Sequence, residues 1–526
     1  MRWRSTLFGT ALAIWMAGPA AGGTLEPELK RFIASIDPDQ EVSVLVQFDS
    51  RLDLRPYEIG AASIRKRLRG ELVRNLQSHA AATQEHVKRF LADRQVSRQV
   101  SLWAINGMAL TASSGIVREL AALPGVSEIR LDTVIVAPKA MAAAAAEPEW
   151  NIEMVQAPDL WAQGHTGSGV VVAIVDTGVD GLHQDLADRW RGGLNSWFDP
   201  YGEHDAPYDA SGHGTQVAGL IVGGEAGGTS IGMAPDAQWI AAKVFDDAGE
   251  GTLSRIHEGL QWLLDPDGDP ETDDAPDVVN NSWGLPEQSG ECVSEFSSDI
   301  QALRVAGIAV VFSGGNTGPS DGSSGSPGNN AGVFPVGGVD DAGTVMTRSS
   351  RGPSACDGGI YPSVVAPGQG VRAADLTFGG VFPGAYTTVS GTSFAAPHVA
   401  GAMALLLSAY PQASADQLEE ALRVSAEDLG EDGPDNDSGF GLLDASEAKT
   451  VLAGLVGGAP GATVYTNEAA FIAAISGYAS FDEGFEDDGV WALSRDPEAA
   501  ASVTSQGVTW VSNHPGNMMT TGSGAA

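Results

Sequence analysis

Apolar and polar residues alternate from Glu41 to Phe48 (EVSVLVQF), the period of a strand with one buried face. An Arg-rich stretch from about Ala61 to Arg98 reads as one long helix, and Leu102 to Ala112 and Val126 to Ile135 read as further strands. Between those strands Ile116 to Leu123 forms a short amphipathic helix that Pro124-Gly125 closes. The order predicts a small α+β unit over 25–138, an open ferredoxin-like sheet with helices on one face. From Trp150 the pattern changes. Val170 to Val175 (VVVAIV) is a continuous β-branched run, the mark of a strand buried on both faces of a parallel sheet. Trp239 to Phe245, Val278 to Asn281, Ile308 to Phe312 and Val333 to Val339 repeat it, separated by helical stretches such as Leu253 to Leu264 and Asp299 to Ala306. This alternation predicts a doubly wound, mainly parallel α/β domain over 150–455, with functional groups at the carboxyl ends of its strands. Asp176, Ser282 and Asn316 stand at such ends.

The joints and ends are less patterned. Residues 139–149, with the small-residue run Ala140 to Glu147, read as a linker and processing region, or as a short helix. Residues 463–526 carry short apolar alternations rich in Gly, Asp and Asn, which predict either the opening strands of an accessory β domain or a disordered tail. Residues 1–22 place Arg2 and Arg4 before the apolar run Leu7 to Ala17 and then small residues, as in a secretory signal peptide, and that run is too short for a stable membrane anchor.

Charge separates the two main units. Of 29 Lys and Arg, 18 lie within residues 1–140, leaving 29 − 18 = 11 for the remainder, where Lys243 and Lys449 are the lysines. The net charge of −38 argues against nucleic acid as a partner. A soluble, exported monomer without a membrane partner is the expectation. In an oxidising compartment Cys292 and Cys356 can pair, although two buried thiols are the alternative.

The candidate chemistry centres on Ser390-Gly391-Thr392-Ser393-Phe394-Ala395-Ala396-Pro397-His398, which runs into the apolar Ala402 to Leu407. It reads as a nucleophile in the first turn of a helix, where unpaired backbone N–H groups stabilise developing negative charge. Its plainer reading makes Thr392 or Ser393 an N-cap. A serine nucleophile needs a base and a carboxylate. His213, in Ser211-Gly212-His213-Gly214-Thr215, supplies an imidazole that titrates near neutrality, and Asp176, in Asp176-Thr177-Gly178, a carboxylate that fixes its tautomer. Taken singly, the histidine reads as a structural hydrogen bonder and the aspartate as a strand-end turn residue. Asn316, in the glycine-rich Ser313-Gly314-Gly315-Asn316, offers an amide N–H for an oxyanion.

These motifs, in the chain order Asp, His, Ser, resemble those of the subtilisin-like serine proteases, the subtilases, from about Trp150 to Leu452. The resemblance implies Asp176 as the histidine-orienting carboxylate, His213 as base and then acid, Ser393 as nucleophile and Asn316 as oxyanion donor. It also implies a substrate cleft walled by Ser282-Trp283-Gly284 and by Gly249-Glu250-Gly251, pairing with the backbone of protein and peptide substrates. Glu41 to Ile135 resembles the inhibitory prodomain, a partner that is later cut away. Glycines at Gly284, Gly314 and Gly315 predict an open pocket for large apolar residues before the scissile bond.

No cofactor is expected for the chemistry; structural calcium is the candidate ion. Asp185 matches part of a family calcium site, but the loop Gly224 to Ser230 lacks the expected amide ligand. Asp265, Asp267 and Asp269 alternate around a glycine as calcium ligands do, or form a solvated acidic loop. The function expected is that of a self-processed, exported serine endopeptidase of broad specificity. The alternatives are a catalytically silent peptide-binding module on the same scaffold and an acid peptidase, which would carry a carboxylate where His213 stands.

Overall fold

The computed structural model describes residues 23–57, 62–139, 141–142, 149–430 and 432–457, together with four short strands between 464 and 523. The chain divides into two compact units, residues 1–52 with 75–132 and residues 53–74 with 133–526. The signal-like segment 1–22 lies outside the described residues.

The opening elements are β1 (Thr24–Leu25), α1 (Pro27–Ala34), β2 (Glu41–Phe48), α2 (Ala62–Leu91), β3 (Val96–Leu102), β4 (Gly107–Ser113), α3 (Ser114–Leu120) and β5 (Val126–Leu131). The five strands form one sheet in the order β1-β5-β2-β4-β3. Buried Val44, Val46, Leu110 and Ile129 pack with Leu29, Val87, Leu91 and Val117 from the helices. The single strand expected over Leu102 to Ala112 is instead the turn and second arm of a hairpin. Buried Asn106, at φ +50°, turns the chain there, and its Oδ1 accepts hydrogen bonds from Thr83 Oγ1 and Gln84 Nε2. Asn106-Gly107 is a hairpin signal. Apolar Trp103, Ala104 and Ile105 beside it disguise the turn as strand.

The second unit continues with β6 (Val134–Val136), β7 (Met141–Ala142), α4 (Trp150–Met154), α5 (Ala157–Ala162), β8 (Val171–Asp176), β9 (Trp197–Phe198), α6 (His213–Val222), β10 (Gln238–Lys243), β11 (Glu250–Thr252), α7 (Leu253–Trp262), β12 (Val278–Asn281), α8 (Ser297–Val305), β13 (Ala309–Ser313), β14 (Phe334–Val339), β15 (Val364–Pro367), β16 (Gln369–Ala374), β17 (Tyr386–Ser390), α9 (Thr392–Ala409), α10 (Ala415–Val424) and α11 (Ala445–Gly457). Seven strands form one parallel sheet in the order β15-β14-β13-β12-β8-β10-β9. The doubly wound α/β reading therefore holds. Its two edge strands, β9 and β15, lie outside the runs read as strands in the sequence.

Alternate residues along these strands serve different layers, as the pleat requires. Val172, Ile174, Val311 and Val336 join α6, α9, α10 and α11 in the main core. On the other face lie α7 and α8. Chain order leaves β8 towards β10 on one side and β12 on the other, the kind of switch point where parallel sheets open a crevice at their carboxyl ends. Long, apolar α9 meets the length and composition of a membrane span, but it is buried in this core. Cys292 and Cys356 are joined by a disulfide, with Cα atoms 4.7 Å apart. At the C-terminal end β18 (Val464–Tyr465), β19 (Ser502–Ser505), β20 (Val508–Ser512) and β21 (Met519–Ser523) pair antiparallel in the order β18-β21-β20-β19.

Between α7 and α8 lies a buried ion cluster. His257 Nδ1 meets Asp299 Oδ2 at 2.9 Å and its Nε2 meets Glu295 Oε1 at 2.7 Å. Burial opposes the charged ring, but the two carboxylates outweigh it and raise its pKa to about 9. The folded value exceeds the 6.5 of a free imidazole, so the stabilisation is complete below about pH 6.5 and lost as pH rises through about 9. Urea unfolding of the parent is expected to show stability falling across that window by up to about 3 kcal/mol more than in His257→Gln. Parallel pH profiles for the two proteins would contradict the assignment.

Candidate active site

The site assembles at the carboxyl ends of the central strands, from segments far apart in sequence. Asp176 ends β8, and His213 opens α6 behind Gly212 at φ +89°. The two elements approach closely because Gly214 has no side chain: a Cβ there would lie 2.0 Å from the carbonyl oxygen of Gly178. The turn glycine therefore serves backbone approach, besides leaving the imidazole uncrowded. His213 Nδ1 bonds Asp176 Oδ1 at 2.7 Å, with both side chains buried. Among the described residues His213 Nε2 has no hydrogen-bond partner. Burial disfavours the charged imidazole, but the Asp176 charge, the bond to it and the Asp209 charge act more strongly and raise its pKa.

Ser393 is buried in the first turn of α9. The helix is not capped by a side chain, since Gly391 occupies the N-cap, so the capping reading of Thr392 and Ser393 falls. Ser393 Oγ donates to the Ser282 carbonyl at 3.0 Å, and Ser282 Oγ donates to the Ser393 carbonyl at 2.7 Å. The next residue, Phe394, sets its ring 5.4 Å from the His213 ring between centroids. Asn316 follows β13, and its Oδ1 accepts from Thr392 N at 2.9 Å and Thr392 Oγ1 at 3.1 Å. A backbone N–H can only donate, so the atom facing it is the amide oxygen. The NH2 end of Asn316 is the end left for another acceptor. Asp176, His213, Asn316 and Ser393 thus all stand at the carboxyl-end rim of the sheet.

A model of the subtilase family matches residues 167–441, which contain all four residues. This chain belongs to the subtilase family. Bacillopeptidase F of Bacillus subtilis (strain 168) is 34% identical over 444 residues, 77% of this chain but 30% of its own length. Subtilisin E of the same strain is 33% identical over 357 residues, covering 67% of this chain and 84% of its own. The alkaline protease of Alkalihalobacillus alcalophilus is 35% identical over 300 residues, 57% of this chain and 69% of its own.

Several expected site residues of this subtilase stand elsewhere. The Trp283 indole is buried against Phe245, Phe296 and Phe312, so its side chain belongs to the core. Ser282 serves Ser393, and β12 ends before Ser282-Trp283-Gly284. A Cβ at Gly284 would lie 3.1 Å from Ser326 O, at Gly314 3.0 Å from Val336 O and at Gly315 2.8 Å from Ser350 Oγ. They fit tight packing. Gly249 and Gly251 do line an extended partner, since β11 pairs antiparallel with β6 and Ala137 N donates to Gly249 O at 2.7 Å.

The expected calcium ligands stand in separate places. Among the described residues Asp265 and Asp267 gather with Asp274, whereas Asp269 accepts from Glu271 N within its own turn. Asp185 is taken up by Tyr386 Oη at 2.5 Å and Ala226 N at 2.8 Å. Asp274 follows the loop that drew attention to its neighbours, and nothing in its spacing marks it as their companion.

Two further residues hold the rim. Buried Asp209 accepts from Thr177 Oγ1, Ser211 N, Gly212 N, Thr215 N and Thr215 Oγ1 at 2.7–3.0 Å, tying the end of β8 to the turn that presents His213. Burial raises its pKa, while these donors favour the ionised form. Buried Lys243, opposite Asp176 in the ladder, donates to Thr177 O at 3.0 Å and Phe245 O at 2.9 Å. An aspartate two residues before Ser211-Gly212 is a turn signal in the sequence, and it points here. In contrast, His398 offers no second base: Nδ1 faces Phe394 O and Nε2 faces Asn151 Nδ2, both at 2.8 Å, and burial lowers its pKa to about 4. Replacing Asp209 by alanine strands its buried donors and is expected to cost roughly 2–5 kcal/mol in urea unfolding. A loss under about 1 kcal/mol would show that the turn holds without it.

Proposed function

We propose that this subtilase is an exported serine endopeptidase, made as a precursor that cuts its own chain. The observation that carries the reading is the buried 2.7 Å bond between His213 Nδ1 and Asp176 Oδ1, which leaves Nε2 as the acceptor for a serine proton. Ser393 Oγ turns from the Ser282 carbonyl to His213 Nε2, attacks the peptide carbonyl carbon and passes its proton to the ring. The oxyanion is met by the Asn316 amide and the N–H groups that open α9. Collapse expels the amine with the proton from Nε2, and water repeats the sequence to release the acid. Asp176 stays ionised throughout and holds the ring in the tautomer that accepts at Nε2.

The first substrate in this reading is the chain itself. Within the second unit β6 pairs with β11, and β7 pairs with Val389 and Ser390, immediately before Gly391-Thr392-Ser393. The chain ahead of residue 140 therefore lies against β11, and the chain after it against β17. The stretch between them supplies the bond to be cut, and residues 25–138 act as the inhibitory pro-segment. Export rests on the basic and apolar pattern of residues 1–22, and the Cys292–Cys356 disulfide suits an oxidising compartment.

N-terminal sequencing tests the reading. The parent is expected to mature to an N-terminus between residues 139 and 141, while Ser393→Ala accumulates with the preceding residues attached. Equal maturation of both proteins in a host lacking other secreted proteases would refute self-processing.

A further inference from the structure

The ladder between β7 and β17 gives the cleft a direction. Met141 opposes Ser390 and Ala142 opposes Val389, so each residue further along an extended chain opposes one residue earlier in β17. From 390 to 386, the start of β17, takes 390 − 386 = 4 such steps. Beyond Tyr386 lies the connection 375–385 between β16 and β17, whose side chains are unlike those of an ordinary surface turn. Phe378, Val381 and Phe382 are 69%, 67% and 59% exposed, and Leu182 on a neighbouring loop is 57% exposed. The Phe378 and Phe382 rings meet edge to face at 6.3 Å, and a Cβ at Gly380 would lie 3.6 Å from Leu182 Cδ1.

The connection is built to hold this face outward. Buried Thr377 donates through both N and Oγ1 to Asp180 Oδ2, at 2.8 and 2.7 Å. Thr377 then anchors the tip, accepting from Gly380 N at Oγ1 and from Phe382 N at its carbonyl, both at 2.9 Å. Gln184 N donates to Pro383 O at 2.8 Å. Phe378 sits at φ +52°, a left-handed conformation that is strained for a bulky residue. A turn that fixes strained, exposed aromatic residues is preorganised for contact.

We propose that Phe378, Val381, Phe382 and Leu182 form a specificity-determining site for apolar residues on the leaving-group side of an extended protein substrate. This rests on the serine-peptidase reading above. The occupant is set by continuity with the ladder: a substrate strand that leaves Ser393 alongside β17 reaches the tip with about the fifth to ninth residues after the cut bond. Short peptides would not reach it. Protein substrates exposing apolar segments would be favoured, without altering the choice of residue at the bond itself.

The test uses the matured full-length protein and three quenched fluorescent peptides with one common sequence up to the third residue after the bond. One ends there, and two continue with either Leu and Phe or Ser and Thr at the fifth to ninth positions. The parent is expected to prefer the apolar long peptide by about tenfold in kcat/KM, chiefly through KM, and Phe378→Ser with Phe382→Ser brings the ratio to near one. Leu182→Ser, on a separate loop, lowers the same ratio and serves if the double variant fails to fold. A parent that treats both long peptides alike, or a preference that survives in the variants, would overturn the proposal. So would a concentration-dependent dimer that the variants abolish while the ratio stays unchanged. Failure to cleave even the short peptide would instead reject the peptidase reading.

Discussion

The arrangement depends on satisfying one buried carboxylate at the end of a central strand. Asp176 is buried, and an isolated charge there would be costly. The His213 ring answers one oxygen at 2.7 Å and Thr177 N donates to the same oxygen at 2.8 Å. This fixes the imidazole only if β8 and α6 are themselves held together. Asp209 does that through its hydrogen bonds across both segments, Gly214 permits the approach, and Lys243 ties down the Thr177 carbonyl. Reactive geometry is thus purchased with buried polar structure around it.

The same economy explains α9. Its apolar length is needed to sink its first turn, with Ser393, among the strands, and Asn316 then locks on through Thr392. The core helix and the segment that carries Ser393 are one element. Opposite walls of the rim are completed by β11 and β17, which present backbone edges to β6 and β7. An edge offers hydrogen bonds regardless of side chain, so affinity comes with little sequence demand.

Much of this could be read from letters. The β-branched runs predict β8, β12, β13 and β14 because strands buried on both faces have no polar alternation to obscure them. Asp176, His213 and Ser393 each have a plainer reading alone, and stand out because their motifs occur together and in that order. What escaped the sequence depends on contacts between distant segments. Nothing beside Trp283 in the chain says that its indole packs among Phe245, Phe296 and Phe312. Asp185 looks available until Tyr386, far along the chain, takes its oxygen. Asp274 joins Asp265 and Asp267 only through a loop whose shape the spacing does not dictate. The hairpin at Asn106 was hidden by apolar neighbours that belong to its own turn.

The tautomer of His213 tests the central claim most directly. Nitrogen-15 spectra of imidazole-labelled Ser393→Ala protein, taken above the pKa of that ring, report which nitrogen carries the proton. The account predicts hydrogen on Nδ1, with a strongly downfield proton that moves when Asp176 is replaced by asparagine. A neutral ring protonated at Nε2, or an Nδ1 proton indifferent to residue 176, would contradict it.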